Sequence, residues 1–390
     1  MTPTSSHLID FIRSKYRTQG SIPLHAPSFG ASERKYLLDC LDSTFVSSVG
    51  AYVDRFEDEF ARITGAAKAV SVVNGTAGLH VALRLVGVEP GDLVLTQSLS
   101  FVATCNAIAY CGAQPLFADV DRETMGLSPT AMEALLEEVA LRDEGGAVHR
   151  ATGRRIRACV PMHTFGHPAD LDGLVAVCDK WGIALVEDAA EALGSLYHGR
   201  HVGLFGLIGV FSFNGNKIVT TGGGGALVFT ETQLAARARH LTTTAKRPHA
   251  WEFVHDELGY NYRMPNINAA LGCAQLERLP GFVEAKRALA ADYAEFLRGS
   301  DLAFCSEPAG TRSNYWLCAV VCPDRATRDA LLTETNAKGL GMRPVWMPMH
   351  QTAMYRDAPR GPLPMTEFLA EHVVNLPSSP PPGTAGNGAA

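Results

Sequence analysis

The sequence predicts an α/β protein built on a mainly parallel sheet, followed by a smaller α+β domain. Three observations carry this. Short strand-like runs alternate with helix-like segments from about residue 54 to 230, the pattern of a sheet covered on both faces. From about Pro265 the texture changes to longer helical segments with few strands. The chain has 390 residues, enough to bury a large core and to form more than one domain.

The elements follow in order. Val53 to Ile63 reads as an amphipathic helix closed by Gly65. Ala69 to Val73 is a short apolar strand running into Asn74-Gly75-Thr76, and Ala77 to Val86 is a helix that stops at Gly87. Leu93 to Thr96 is strand-like, Phe101 to Tyr110 helix-like and Pro115 to Ala118 strand-like. Ser128 and Pro129 supply a cap and a first-turn proline for a helix expected to run to about Arg142. Arg157 to Pro161 reads as a strand, Asp170 to Trp181 as a helix, and Ile183 to Val186 as a strand. Val210 to Phe213 and Ala226 to Phe229 complete the strand-like set. Later, Ile267 to Leu276 and Phe282 to Leu297 read as two helices, Tyr315 to Val321 as a strand and Arg325 to Asn336 as a helix. The expected division is a large α/β domain with the N-terminal segment over 1–260 and a small domain over 261–376. Residues 377–390, rich in Pro, Gly and Ala, are expected to be a disordered tail.

Composition narrows the function classes. The chain is 46% hydrophobic and 19% charged, the proportions of a globular enzyme. Net charge is −6 and no Lys/Arg run stands out, so neither nucleic acid nor an anionic membrane is an expected partner. No apolar run reaches the roughly 18 residues of a membrane span. The opening MTPTSSHLIDFIRSKY lacks the charged-then-apolar layout of a secretory signal. Nine cysteines are scattered with no C-x-x-C pair, which fits reduced thiols in a cytoplasmic protein. Cys318 and Cys322 share a strand face; buried small apolar side chains explain them better than a metal. His163 and His167 lack a third ligand, so no metal is expected there either.

Chemistry concentrates after three strands, where open α/β sheets bind ligands. Lys217 closes the run Ser212-Phe213-Asn214-Gly215-Asn216-Lys217 and precedes the glycine block Gly222 to Gly225. So many glycines suggest close backbone approach to something bulky. Asp188, in Val186-Glu187-Asp188-Ala189-Ala190-Glu191, ends a buried strand. A lysine on a short turn and a carboxylate at a strand end are what pyridoxal 5'-phosphate needs: the amine forms a Schiff base with its aldehyde, and the acid holds its pyridine nitrogen protonated. A carboxylate about 4 Å from a pyridinium gains roughly 4 kcal/mol at an effective dielectric of about 20, enough to keep that nitrogen charged. Asn74-Gly75-Thr76-Ala77-Gly78, between strand and helix, offers backbone N–H groups and a hydroxyl for a phosphate, and Ser212 offers a second hydroxyl. This turn is neither a Walker A loop nor G-x-G-x-x-G, and a plain structural turn is the other reading. Glu191 projects either to the cofactor rim or to solvent. Phe101 either stacks on a ring or fills the core. Once displaced by substrate, the Lys217 amine is placed to carry a proton between substrate and cofactor carbons.

These residues lie within motifs that resemble the DegT/DnrJ/StrS sugar aminotransferases, of the aspartate-aminotransferase fold. The resemblance runs from about Ile22 to Ser379 and rests on IPLHAPSFG, VVNGTAGLH, SFVATCNAIAYCGAQPLFADVD, PMHTFGHPADLD, VEDAAEALGS, FSFNGNK, GYNYRMPNINAALGCAQLERL and PMHQTAMY, in that order. It implies a large domain with a mainly parallel seven-stranded sheet. Lys217 becomes the Schiff-base lysine and Asp188 the partner of the pyridine nitrogen. Gly75, Thr76 and Ser212 hold the phosphate, Phe101 stacks on the ring and Glu191 sits near the cofactor hydroxyl. Asn261 is implied to reach a partner subunit's phosphate, which makes the protein a homodimer with shared sites. His163 and His350 match histidines lining the sugar pocket, with a satisfied structural histidine as the alternative for each. The segment HLTTTAKRPHAWEFVHDELGYNYRMPN resembles the branch acting on UDP-linked 4-keto-6-deoxy-N-acetylhexosamines, in legionaminic-acid and bacillosamine-type pathways. There Lys246, Arg247 and Trp251 are candidates to meet a nucleotide diphosphate and its base. The implied reaction moves an amino group from an amino acid, glutamate, to C4 of the keto sugar. The rivals are a sugar dehydratase on the same cofactor and a regulatory protein keeping the fold without catalysis. Members that dehydrate carry histidine where this chain has Lys217.

Overall fold

The structure is a computed structural model describing residues 5–384. Seven strands make the main path of its large sheet: β1 Lys68–Val72, β2 Leu93–Gln97, β3 Gln114–Ala118, β4 Arg155–Val160, β5 Ala184–Asp188, β6 Ile208–Ser212 and β7 Gly225–Phe229. Their spatial order is β1-β7-β6-β5-β4-β2-β3. The β6/β5, β5/β4, β4/β2 and β2/β3 pairs are parallel, and β7 runs against both of its neighbours.

The strands are apolar throughout because both faces are covered. Val70, Val72, Val94, Val160, Val186, Val210 and Leu227 turn to one face, against helices α4 (Gly75–Leu85), α5 (Val102–Tyr110) and α8 (Thr232–Thr242). Leu93, Leu95, Leu116, Ile156 and Leu185 turn to the other, under α6 (Pro129–Val139) and α7 (Leu171–Trp181). Successive side chains point to opposite faces, so no polar stripe is left in the sequence. Local signals set the helix ends. Asn74, Ser128 and Asp170 cap α4, α6 and α7 by accepting from Ala77, Ala131 and Gly173 N–H groups. Helix α3 (Ala51–Thr64) stops at Gly65, whose φ of 78° suits glycine.

Two expectations fail for local reasons. The helix expected to reach Arg142 ends at Val139, and the chain turns into a hairpin, Ala140–Asp143 with Gly146–His149, that pairs onto β4. Asp143 accepts from the Gly145 N–H at 2.8 Å and pairs with Arg155, and Gly146 sits at φ 106° with its α-carbon face against the Gly182 carbonyl. The two helices expected after 265 are one, α9 (Asn266–Phe296), which carries Pro280 inside it. Leu276, Leu279, Phe282 and Val283 are all buried around that proline, so packing outweighs the missing N–H.

A second, antiparallel sheet has the order β8-β9-β11-β10, from Ala303–Phe304, Cys318–Val321, Val373–Leu376 and Arg343–Pro344 respectively. Its core takes in α1 (Ser5–Tyr16) through Leu8, Ile9 and Ile12. The N-terminal segment therefore packs with the second sheet rather than with the large unit assigned to 1–260. The expected tail also begins later than 377. The Ser378 hydroxyl accepts from the Cys318 N–H at 2.8 Å, the Ser378 carbonyl accepts from buried Lys286, and Tyr16 and Tyr293 donate to the Ser379 and Pro377 carbonyls. Residues 385–390 lie outside the described residues.

Glu57 on α3 ties the large sheet to the segment after it. It accepts from the Ser71 N–H and hydroxyl, both at 2.8 Å, and pairs with buried Arg263 at 2.7 Å and with Arg239. Removing it would leave Arg263 buried without its counter-charge. Glu57→Ala is expected to lower unfolding free energy by about 3 kcal/mol and Glu57→Gln by less, read from urea denaturation midpoints.

Candidate active site

Parallel strands deliver their carboxyl ends to one edge of the sheet. There β1 leads to Asn74-Gly75-Thr76, β5 ends on Asp188, and β6 ends on Ser212 and leads to Lys217. These ends line a cleft of about 320 Å³, together with Phe101, Glu191, Asn214, Asn216, Trp316 and Trp346.

The first part of the cleft is a cradle. Gly75 and Thr76 are the first two residues of α4, so their N–H groups have no partner within the helix. The Asn74 carboxamide takes the Ala77 N–H instead. Gly75 lies against Ser212: a Cβ on it would sit 3.0 Å from the serine Cβ. The glycine block has its reason here too, for a Cβ on Gly225 would meet the Asn74 and Gly75 backbone at 2.7–2.8 Å. Gly225 is thus the glycine of the block that approaches the cradle, whereas a Cβ on Gly224 would meet Thr221 and Met264.

The second part is Asp188. It is buried, accepts from the Thr104 hydroxyl at 2.7 Å and from the Ala190 N–H at 3.2 Å, and makes no ion pair among the described residues. Burial pushes its pKa up, against these hydrogen bonds and the charge of Lys217. A buried acid of this kind fits a ligand that brings a cation.

The third part is the lysine. Its turn is closed by the Lys217 N–H donating to the Asn214 carbonyl at 2.9 Å. Its Nζ lies 3.2 Å from Glu191 Oε1 and 3.9 Å from the centre of the Trp316 ring. Glu191 is buried; burial raises its pKa, and the Lys217 charge and the Phe165 N–H oppose this. Phe165 donates to Glu191 Oε2 at 2.9 Å from a left-handed conformation, φ 57°, an uncommon state for a bulky residue and one that aims an N–H at an acid in the cleft. Phe101 is 49% exposed and opens on the cleft, so it is not a core side chain.

The cleft thus gathers Gly75, Thr76, Phe101, Asp188, Glu191, Ser212 and Lys217. The other predicted site residues lie elsewhere in the protomer. His163 is fully buried, with Nε2 3.1 Å from Glu187 and Nδ1 accepting from the Ala169 N–H, the satisfied structural arrangement. Glu187 also accepts from Gly203, Phe205 and Gly206 N–H groups. His350 is held by the Ser98 hydroxyl at 2.8 Å, and burial pushes its pKa down. Lys246 and Trp251 belong to an exposed hairpin, and Asn261 is exposed beside it. Sequence reasoning missed Thr104, Trp316 and Trp346. Thr104, three residues after Phe101 in the first turn of α5, was within reach of it; the two tryptophans come from distant chain and carried no local signal.

The arrangement combines an N–H cradle for a phosphate, a buried acid without a cation and a lysine at the same opening, which are the fittings for pyridoxal phosphate. Comparison with known proteins agrees. Residues 27–384 match the DegT/DnrJ/EryC1/StrS aminotransferase family. The chain is 36% identical to the GDP-perosamine synthase of Vibrio cholerae over 366 residues, covering 92% of this chain and 94% of that protein. Among solved structures it resembles the aminotransferase TlmJ from Streptoalloteichus hindustanus, with a TM-score of 0.83, 33% identity and coverage of 92% and 94%. It also resembles DesI, solved in the presence of its TDP-sugar product, with a TM-score of 0.81, 31% identity and coverage of 92% and 88%. The chain belongs to the DegT/DnrJ/EryC1/StrS aminotransferase family and is a pyridoxal-phosphate-dependent aminotransferase.

Proposed function

We propose that the chain moves an amino group from L-glutamate to C4 of a nucleotide-linked 4-keto-6-deoxy sugar, as a cytoplasmic homodimer with shared sites. The observation that carries this is the convergence of Lys217, Asp188 and the Gly75-Thr76 cradle on one cleft. Bound pyridoxal phosphate supplies an aldehyde for the amine and a ring that accepts electrons. The chain's residues do the rest. The Gly75 and Thr76 N–H groups and the Ser212 hydroxyl hold the phosphate without a basic side chain. Asp188 would pair with the ring nitrogen of the bound cofactor, and the Thr104 hydroxyl keeps the acid oriented. Lys217 moves the proton, and Glu191 holds its ammonium when it is free. Phe101 and Trp346, 6.3 Å apart centre to centre, line the cleft mouth with aromatic surface.

The sugar nucleotide is the larger substrate, and the exposed arm bears on it. Lys246–Arg247 pairs with Val254–His255, and Trp251 and Phe253 at its tip are each 81% exposed. Large aromatic side chains this exposed suit burial against a second copy. In that assembly Lys246, Trp251 and Asn261 would serve the partner's cleft, since none of them lines their own. The resemblance of this segment favours a UDP-linked 2-acetamido sugar. The printed names of the Vibrio cholerae and Escherichia coli O157:H7 relatives, 36% identical each, favour a GDP-linked one as the second reading. Incubation with UDP- and GDP-linked keto sugars and glutamate, read by product mass and proton couplings, separates them. No product with either sugar would sink the proposal.

Four experiments bear on this reading. Borohydride treatment should fix the cofactor's mass on the peptide containing Lys217. Lys217→Ala should abolish that mass and lower kcat by about a thousandfold or more. Lys246→Ala should raise the KM for the sugar nucleotide with little change in that for glutamate. Asp188→Asn should lower kcat by about a hundredfold while stabilising the cofactor-free chain. The sign follows from the raised pKa: the folded state favours the neutral acid, so this stabilisation is whole at low pH and is lost as pH rises through the folded pKa. Asparagine is neutral throughout, so the variant should melt roughly 1–3 °C higher at pH 7 by calorimetry, with the gap closing in acid.

A further inference from the structure

Lys217 is flanked by two groups, and only one of them is an acid. Glu191 Oε1 lies 3.2 Å from its Nζ, and the Trp316 ring centre lies 3.9 Å away. Trp316 also reaches the turn that carries the lysine: its indole N–H donates to the Asn216 carbonyl at 2.7 Å. The indole is buried. Its own backbone N–H donates to Asn314 Oδ1 at 2.8 Å, and Asn314 Nδ2 donates to the Glu191 and Leu193 carbonyls at 2.9 Å each. One asparagine therefore registers the indole against the backbone of the acid opposite. The fit is tight, since a Cβ on Gly166 would meet Asn314 Oδ1 at 1.9 Å.

We propose that Trp316 is a positioning residue for Lys217: its ring face holds the side-chain nitrogen, its N–H holds the turn, and Asn314 fixes both relative to Glu191. A cation over an indole face is attracted by the ring quadrupole without hydrogen-bond constraints. An amine that must leave and return to the same place in each half-reaction gains a resting position from which it can still swing. A second carboxylate there would hold it in a directional ion pair. The purpose rests on the aminotransferase reading above, but the contact does not.

The other titratable groups around the amine are Glu191, Asp188 and His25. Asp188 is coupled to Lys217 by charge. His25 lies against the Asn216 backbone, and burial of its ring with the Lys286 and Lys217 charges pushes its pKa down. All three side chains, and the Asn314 amide that holds the Glu191 carbonyl, stay in place when Trp316 is replaced, while the Asn216 carbonyl loses its indole donor.

The test uses the full-length chain freed of cofactor, so its result is independent of any amino-transfer assay. Acetic anhydride labelling across a pH series is read on the Lys217 peptide by mass spectrometry, with exposed Lys35 as the internal standard. Loss of the ring face frees neutral amine, so W316L should raise Lys217 labelling at pH 7 by about threefold or more and shift its profile to lower pH. W316F keeps a ring face but loses the N–H to the Asn216 carbonyl, so its labelling should fall between those of the parent and W316L. A W316L profile that overlays the parent's, or a W316F profile that moves as far as W316L's, would overturn the assignment. Should W316L lose its native circular dichroism, fluorinated tryptophans decide. Each added fluorine weakens the ring face at constant shape, so labelling that climbs with fluorine number supports the role and labelling that stays flat overturns it.

Discussion

The charge on Asp188 is the constraint around which the rest is arranged. It ends a strand at the middle of the sheet, buried, with a hydroxyl and an N–H as partners and no cation of its own. Burial of that kind is unfavourable for a carboxylate, and it suits a position where a bound ligand would bring a cation. The parallel sheet makes the position possible. Neighbouring β5 and β6 deliver the acid and the lysine turn, β1 beyond β7 delivers the phosphate cradle to the same edge, and helices on both faces keep water from the strand interiors.

The lysine side is built on a different principle. Glu191 is also buried, but it has its ammonium, and a backbone N–H and an asparagine amide fix its place. Phe165 gives up an ordinary conformation to present its N–H. Asn314, from the connection between β8 and β9 of the second sheet, holds the Glu191 carbonyl. The large sheet thus supplies the reacting groups, and the later half of the chain fixes their spacing.

What could be read from the sequence divides along the same line. Strands and helices of the large unit were legible because each carries its own signal: a continuous apolar run, a cap such as Asn74 or Asp170, a glycine such as Gly65. Lys217, Asp188, Gly75 and Ser212 were legible because each stands within a few residues of a strand end. Trp316 and Trp346 were not, because they reach the cleft from about a hundred residues or more beyond Lys217 and look like core aromatics locally. Pro280 misled because a proline's local preference was outweighed by apolar neighbours on every side. The hairpin after Val139 misled because its cause is an ion pair to Arg155 and a close approach to Gly182, neither of which a helical pattern reports. His163 had two readings in the sequence, and its burial between Glu187 and Ala169 favours the structural one.

Lys286 carries a consequence for the far end of the chain. It is buried in the middle of the longest helix, and burial brings its pKa down to about 7. Its hydrogen-bond partner is the main-chain oxygen of Ser378, two residues past the last strand. The closing segment thus acts as a plug seated twice, by the Ser378 peptide oxygen on the amine and by the Ser378 hydroxyl on the Cys318 N–H. Cutting the polypeptide back past that serine would leave both the amine and a strand N–H in the interior without their acceptors.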